Sequence, residues 1–179
     1  RNHLKTIVHR ETKADLQIMT FDPDVLTGRK FVLALLDELH VIGKNAKAAK
    51  ALRQVRGGMV PFPEALLVMI TTMPDDPPAG VMRAELAKAR EIRDGKRTGS
   101  MLPVLYEFPR AMQEKPKDGR PEAWRDPSTW GMVSPNLGRS VSLEVLKELH
   151  DDAAQKGEQE LRGWATQHLN IEIGTGSSS

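Results

Sequence analysis

The sequence predicts an α/β protein built around a parallel β-sheet. Two continuous apolar runs, residues 31–36 and 65–70, have the length and the two-sided apolar character of strands buried inside such a sheet. Helical periodicity follows each run, so strands and helices alternate along the chain. In such a sheet the crossovers are right-handed, and ligands bind at the carboxyl ends of the strands.

Composition narrows the class of protein. With 179 residues, 39% of them hydrophobic and 28% charged, the chain is expected to be globular and not disordered or fibrous. The absence of cysteine excludes disulfides, thiolate metal sites and cysteine nucleophiles. No apolar run approaches the roughly 20 residues that span a bilayer, so no transmembrane helix and no membrane partner is expected. The net charge of +2 does not by itself indicate a nucleic-acid partner.

The segments around the first apolar run follow in order. Residues 4–21 read as short extended pieces, which the turn residues from Asp22 to Gly28 bring to an end. After Gly43, alanine and leucine recur at helical spacing, and a helix is expected to continue until Gly57 and Gly58 stop it.

The second half of the chain is predicted to be mostly helical. Residues 81–92 share an apolar helix face, and residues 102–106 are a candidate third strand. Residues 109–138 are rich in Pro, Lys, Glu and Trp without periodicity, which predicts an irregular linker or lid whose tryptophans serve packing. Ser142 is expected to cap a helix that breaks near Gly157, and a further helix follows it.

The end of the first apolar strand carries two adjacent acids, Asp37 and Glu38. A rigidly held Asp37 could bind Mg²⁺ directly or through water, and Glu38 could orient or deprotonate an attacking water. Thr71 and Thr72 end the second apolar strand, where a hydroxyl could sense a γ-phosphate. The alternatives are a solvated acidic loop and ordinary turn chemistry.

A row of basic residues follows the first strand. No Asp or Glu occurs between Glu38 and Glu64, and cations recur there at every third position. They are Lys44, Lys47, Lys50, Arg53 and Arg56. On a helix this row forms a slowly drifting stripe that could contact DNA phosphates, with a solvated helix face as the alternative. Aromatic residues are not interleaved, so such contacts would read the backbone and not the bases.

The chain resembles the large terminase subunit of tailed bacteriophages, the motor that packages DNA. Residues 31–40, FVLALLDELH, resemble its Walker B strand with the catalytic glutamate, and residues 70–72 resemble its coupling motif. Residues 126–141, DPSTWGMVSPNLGRSV, are similar to a stretch after the ATPase core in one terminase branch. Residues 164–170 resemble the helix before the nuclease domain.

This resemblance implies a P-loop NTPase-like core in residues 1–108, a helical lid or linker subdomain in residues 109–174 and a disordered tail in residues 175–179. It implies hydrolysis of ATP with Mg²⁺, Glu38 as the catalytic glutamate and Asp37 as the metal ligand. Arg29 becomes a candidate for an arginine supplied between subunits. The implied partners are double-stranded DNA, the portal protein, the small terminase subunit and further copies in a ring, in the host cytoplasm at the procapsid portal.

One motif of that family is missing. The sequence contains no GxxxxGK[ST] phosphate loop, so the core would lack its Walker A half. The family places that loop before position 1 and the nuclease carboxylates after position 179, so this chain alone is expected to be an inactive fragment of an ATPase. Two other functions stay open: a helicase-like ATPase with a DExH box at residues 37–40, and a non-catalytic binding domain.

Overall fold

The computed structural model describes residues 5–172 as a mixed α/β chain with small sheets and helices. The tail predicted for residues 175–179 lies outside the described residues. The amino-terminal strands β1, Thr6–Val8, and β2, Asp15–Gln17, form an antiparallel hairpin in which Thr6 faces Gln17. None of the described helices is long and apolar enough to cross a membrane.

The two apolar runs form a parallel pair, as the sequence predicts. Strand β3 spans Leu33–Leu36 and strand β4 spans Leu66–Met69, with Leu33 opposite Leu66 and Leu36 opposite Met69. Helix α3, Ala48–Met59, lies in the connection between them. Before it come two short helices, α1 at Pro23–Leu26, capped by the Asp22 side chain, and α2 at Leu39–Ile42.

Within residues 5–172 this sheet has two strands and not three. Residues 101–109 have no regular secondary structure, so the prediction of a strand at 102–106 is wrong. The segment still alternates, with Leu102, Val104 and Tyr106 exposed and their neighbours half-buried. Pro103 offers no backbone N–H to a strand ladder, which weakens pairing at this position.

The prediction that both strands are buried on both faces is also wrong. The parallel register places Leu33, Leu35 and Leu66 on one face, and these side chains are 58%, 59% and 57% exposed. The other face carries Leu36 and Leu67, which pack into the core formed with α2, α3 and α4. The described residues therefore cover one face of the sheet with helices.

Helix α3 does not stop at its glycines. The helix continues through Gly57 and Gly58, and its buried residues run from Ala48 to Met59. A Cβ at Gly58 would lie 2.3 Å from the carbonyl oxygen of Arg29 and 3.0 Å from the Phe31 ring. Gly58 therefore lets the chain that enters β3 pass close to α3. This close contact, and not a helix end, is the reason why a glycine is needed at position 58.

Helix α4, Gly80–Arg93, agrees with the predicted helix and buries Val81, Met82 and Ala89. The segment predicted to be irregular contains helix α5, Arg110–Gln113, and two 3₁₀ helices, Ala123–Arg125 and Pro127–Met132.

Two long helices build a second core. Helix α6, Leu143–Lys156, is capped by Ser142, whose hydroxyl accepts from the Val145 N–H at 3.4 Å, and helix α7 spans Glu158–Leu169. Trp124 and Trp130, which belong to the two 3₁₀ helices, are fully buried in this core, and Trp130 Nε1 donates to the Trp124 carbonyl at 2.8 Å. The expectation that the tryptophans serve packing is therefore confirmed.

Asn170 and Glu107 connect this helical part to the rest of the chain. Asn170 follows α7 in the left-handed conformation, with φ of 54°, and its Oδ1 accepts from the Met73 N–H at 3.2 Å while its Nδ2 donates to the Tyr106 carbonyl at 3.1 Å. The nearly buried Glu107 carboxylate binds Arg90 of α4 at 2.6 Å and also Arg93.

Candidate functional site

The parallel pairing brings both predicted strand-end motifs to one edge of the sheet. Backbone hydrogen bonds continue beyond the strands, from the Ile70 N–H to the Leu36 carbonyl at 2.8 Å and from the Leu39 N–H to the Ile70 carbonyl at 3.1 Å. Asp37 and Glu38 lie between these two bonds on one strand, and Thr71 follows them on the other. The structure therefore brings the acids and the threonine together.

A histidine joins the acid to the threonine. Nδ1 of His40 lies 3.2 Å from Oε2 of Glu38 and 3.1 Å from Oγ1 of Thr71. The same Oγ1 also accepts from the His40 backbone N–H at 3.1 Å and donates to the Thr72 carbonyl at 3.1 Å. The Thr71 oxygen and the Glu38 carboxylate therefore lie against the same ring nitrogen of His40.

Glu38 has a strained backbone. Its φ and ψ are both 52°, in the left-handed region, which costs a residue with a Cβ about 1–3 kcal/mol. Helix α2 begins immediately after it, so the turn redirects the chain within one residue. Both carboxylates remain exposed as a result, and Asp37 Oδ1 accepts from the Glu38 N–H at 3.1 Å. Strained residues of this kind cluster at functional sites.

The acids fit one mode of magnesium binding. Mg²⁺ is commonly bound by one or two carboxylates together with substrate phosphates and water. Asp37 is exposed at the end of a rigid strand, and its Oδ2 makes no hydrogen bond within the described residues. No three His, Asp or Glu side chains in residues 5–172 are placed to hold a metal by themselves. A magnesium ion here would therefore need further oxygen ligands, such as those of water or of a bound phosphate.

Arg29 lies at the opposite edge of the sheet. It precedes β3, whereas Asp37 follows it, and the strand alone separates the two ends by roughly 10 Å. Arg29 and Lys30 line a shallow pocket of about 280 Å³ with Gln54 and the glycines of α3. Within one chain Arg29 does not meet Glu38, so the predicted role would require the Arg29 of a neighbouring copy.

The predicted basic stripe divides into paired and unpaired cations. Lys44 pairs with Asp76 at 3.3 Å, and Arg56 pairs with Glu85 at 2.8 Å. Lys47 lies 3.8 and 3.9 Å from two carboxylates near α1. Lys50 and Arg53 have no carboxylate within 4 Å in residues 5–172, so these two are the members of the stripe that are available to another anion there.

Comparison with models of protein families, with curated proteins and with solved structures finds no match. The resemblance to the large terminase subunit remains a hypothesis that depends on the residues themselves.

His40 is the residue of this site that the sequence interpretation left without a role. Its ring is largely buried, and it contacts both Glu38 and Thr71. The feature of the sequence that could have indicated a role for His40 was its Glu-x-His spacing from Glu38 after an apolar strand. This spacing was interpreted only as part of a DExH box. The contact to Thr71 spans 31 positions and depends on strand pairing, so spacing could not reveal it.

Proposed function

We propose that this chain carries the acidic residues of an ATP-hydrolysing motor that moves double-stranded DNA, as part of a large terminase subunit. The observation that supports this proposal is the Glu38–His40–Thr71 contact, which links two parallel strand ends beside the exposed Asp37. Strand ends of this kind are where ligands of parallel sheets bind. The alternative of two unconnected acids in a solvated loop does not explain this contact.

Each residue has a distinct task in the proposed reaction. Asp37 would hold Mg²⁺, which when bound neutralises charge on the transferred phosphate. Glu38 would orient the attacking water and accept its proton, and the His40 ring, 3.2 Å from Oε2, would help to hold the Glu38 carboxylate in place. General-base assistance of this kind contributes typically 10²–10⁴ in rate.

Two elements of the proposed motor are not supplied by one copy of this sequence. The phosphates need a loop of the GxxxxGK[ST] type, which another segment of the protein would provide, since none occurs here. Arg29 of a neighbouring copy in a ring would stabilise the transition state. Portal protein and small terminase subunit are partners of this proposal through the family resemblance.

Thr71 is proposed to transmit the state of the nucleotide. Its hydroxyl contacts His40, and two residues later the Met73 N–H binds Asn170 after α7. A shift of the strand end on phosphate release would therefore reach the helical part through few bonds. We expect a Thr71→Ala, Thr72→Ala double variant of the full-length protein to hydrolyse ATP with less DNA moved per ATP, and unchanged translocation per ATP would count against this role.

A helicase-like ATPase is the second candidate, because Asp37 to His40 also form a DExH box whose histidine contacts the facing strand. A strand-displacement assay distinguishes the two. A motor of the packaging type is expected to move along duplex DNA without separating its strands, and ATP-dependent strand separation would favour the helicase.

A further inference from the structure

We propose that the pocket at the amino ends of β3 and β4 is a binding site for the phosphodiester backbone of duplex DNA. It lies at the edge of the sheet opposite Asp37 and Glu38, so it is a separate site. Its lining consists of residues 28–30, Gln54, residues 57–58 and Pro61. No acidic side chain is part of this lining.

Unpaired positive charge surrounds the pocket. Arg29 and Lys30 are exposed in its lining, and Lys50 and Arg53 lie one helical turn before Gln54 and Gly57 on the same face of α3. None of these four cations has a carboxylate within 4 Å among residues 5–172. The other three basic residues near α3 are paired with acids and are therefore poorer partners for an external anion.

The helix dipole opposes an anion here but does not decide the balance. Helix α3 ends beside the pocket, and a helix carboxyl end carries roughly half a negative charge. Lys30, Lys50 and Arg53 supply three full positive charges even where Arg29 serves a neighbouring copy. They exceed this partial charge and the exposed carboxylate of Glu64, which precedes β4 at the same edge of the sheet. The field at the pocket is therefore positive in sum.

The distribution of the cations favours a phosphate backbone over a single small anion. Lys50 and Arg53 are separated by roughly 4.5 Å along the helix axis, which is similar to the roughly 3.4 Å axial spacing of phosphates in one DNA strand. The cations extend from the pocket along the open face of α3, so they can contact several phosphates. No aromatic side chain lines the pocket, so unstacked single-stranded bases would find no platform. The choice of duplex DNA among polyanions rests on the proposed function.

A charge-matched pair of variants of the full chain tests the site. Lys50→Gln with Arg53→Gln removes the unpaired cations, and Lys44→Gln with Lys47→Gln removes two paired cations at the other end of the same segment. Binding to a fluorescein-labelled duplex is measured by anisotropy over a series of salt concentrations without nucleotide. The Lys50→Gln, Arg53→Gln variant is expected to make the negative slope of log K against log salt less steep by about 1.8. The Lys44→Gln, Lys47→Gln variant is expected to keep the slope near the wild-type value. Equal slopes for both variants, or no duplex binding by the wild type, would overturn the proposal.

Gly57 allows a second test that does not remove any native side chain. A Cβ at this position would meet no atom within 4 Å, and Gly57 is exposed, so a substituted side chain can extend from it into solvent. Gly57→Glu is expected to weaken duplex binding roughly threefold to tenfold, because it places a negative charge in the pocket, and the size-matched Gly57→Gln is expected to bind within twofold of wild type. Equal binding by the two would contradict the site.

Competition with inorganic phosphate distinguishes the ligand source. If inorganic phosphate displaces the duplex no better than chloride at the same ionic strength, the result supports a backbone site. Displacement of the duplex by low millimolar phosphate would overturn the assignment to DNA. Because these measurements contain no ATP, their outcome is independent of Glu38 and of the proposed hydrolysis.

Discussion

Asn170 holds two segments of the chain together, and its removal gives a prediction with a magnitude. Its side-chain amide bridges the Met73 N–H and the Tyr106 carbonyl from a left-handed position after α7. Met73 is 7% exposed, so its N–H loses a partner that water replaces poorly, whereas Tyr106 is half-exposed and its carbonyl can turn to water.

The expected free energies differ among three variants. Loss of the bond to Met73 costs about 1–3 kcal/mol and loss of the bond to Tyr106 about 0.5–1 kcal/mol. Asn170→Gly loses both bonds but tolerates the left-handed backbone, so it should lower the free energy of unfolding by about 2–4 kcal/mol. Asn170→Ala adds at least about 1 kcal/mol of backbone cost. Asn170→Asp keeps the acceptor for Met73 but turns a carboxylate oxygen towards the Tyr106 carbonyl, so it should lose about 1–2 kcal/mol.

Urea unfolding followed by tryptophan fluorescence measures these differences, because the buried Trp164 reports on α7 six residues before Asn170. The expected order of stability is wild type, Asp, Gly and then Ala. If the Gly variant unfolds at the wild-type urea concentration while Ala is destabilised, the backbone conformation alone matters, and the bridging role of the amide is refuted.

Three further predictions follow from particular contacts. Glu107→Ala removes the nearly buried partner of Arg90 and Arg93 and should lower the free energy of unfolding in urea by about 2 kcal/mol. The control Glu91→Ala removes the partner of the exposed Arg97 and should lower it by under about 0.5 kcal/mol. Equal losses in the two variants would contradict the burial of Glu107. Gly58→Ala should cost about 1–3 kcal/mol through its clash with Arg29, and Gly57→Ala should gain about 0.5–1 kcal/mol in the same helix; thermal melting checks the opposite signs. Burial lowers the pKa of His168 below its ordinary value of 6.5, so as the pH falls the unfolded chain binds a proton at this ring before the folded chain does. The neutral ring therefore contributes its full stability above pH 6.5, and this contribution is lost as the pH falls below that value. The difference between the urea midpoints at pH 7.5 and pH 5.5 should be smaller in His168→Gln than in the wild type.

The sequence was sufficient for the parallel pair and for the location of its acids. Apolar runs of strand length, each followed by a helical pattern, leave few ways to pair other than in parallel. Strand ends then meet at one edge, so Asp37 and Thr71 had to be neighbours. The helix after Ser142 was equally predictable, because a capping hydroxyl and an apolar period are both local signals.

Other features depend on contacts that the sequence pattern does not contain. Gly58 was expected to end α3, but it serves the approach of Arg29, which lies 29 positions earlier in the chain. The basic stripe looked uniform, yet Asp76 and Glu85 pair with two of its members from distant segments. The exposure of Leu33 and Leu66 was not predictable, because an apolar run does not say whether both faces of its sheet are covered.

The most direct test of the central claim is the Mg²⁺-dependent ATPase rate of Glu38→Gln in the full-length protein. A matched control is Glu64→Gln, which changes an exposed acid near the start of β4, at the other edge of the sheet. We predict that Glu38→Gln binds Mg-ATP like the wild type and loses at least about 10² of the rate, while the control keeps it. Hydrolysis at the wild-type rate by Glu38→Gln would contradict the assignment of Glu38 as the catalytic base of a DNA-translocating motor.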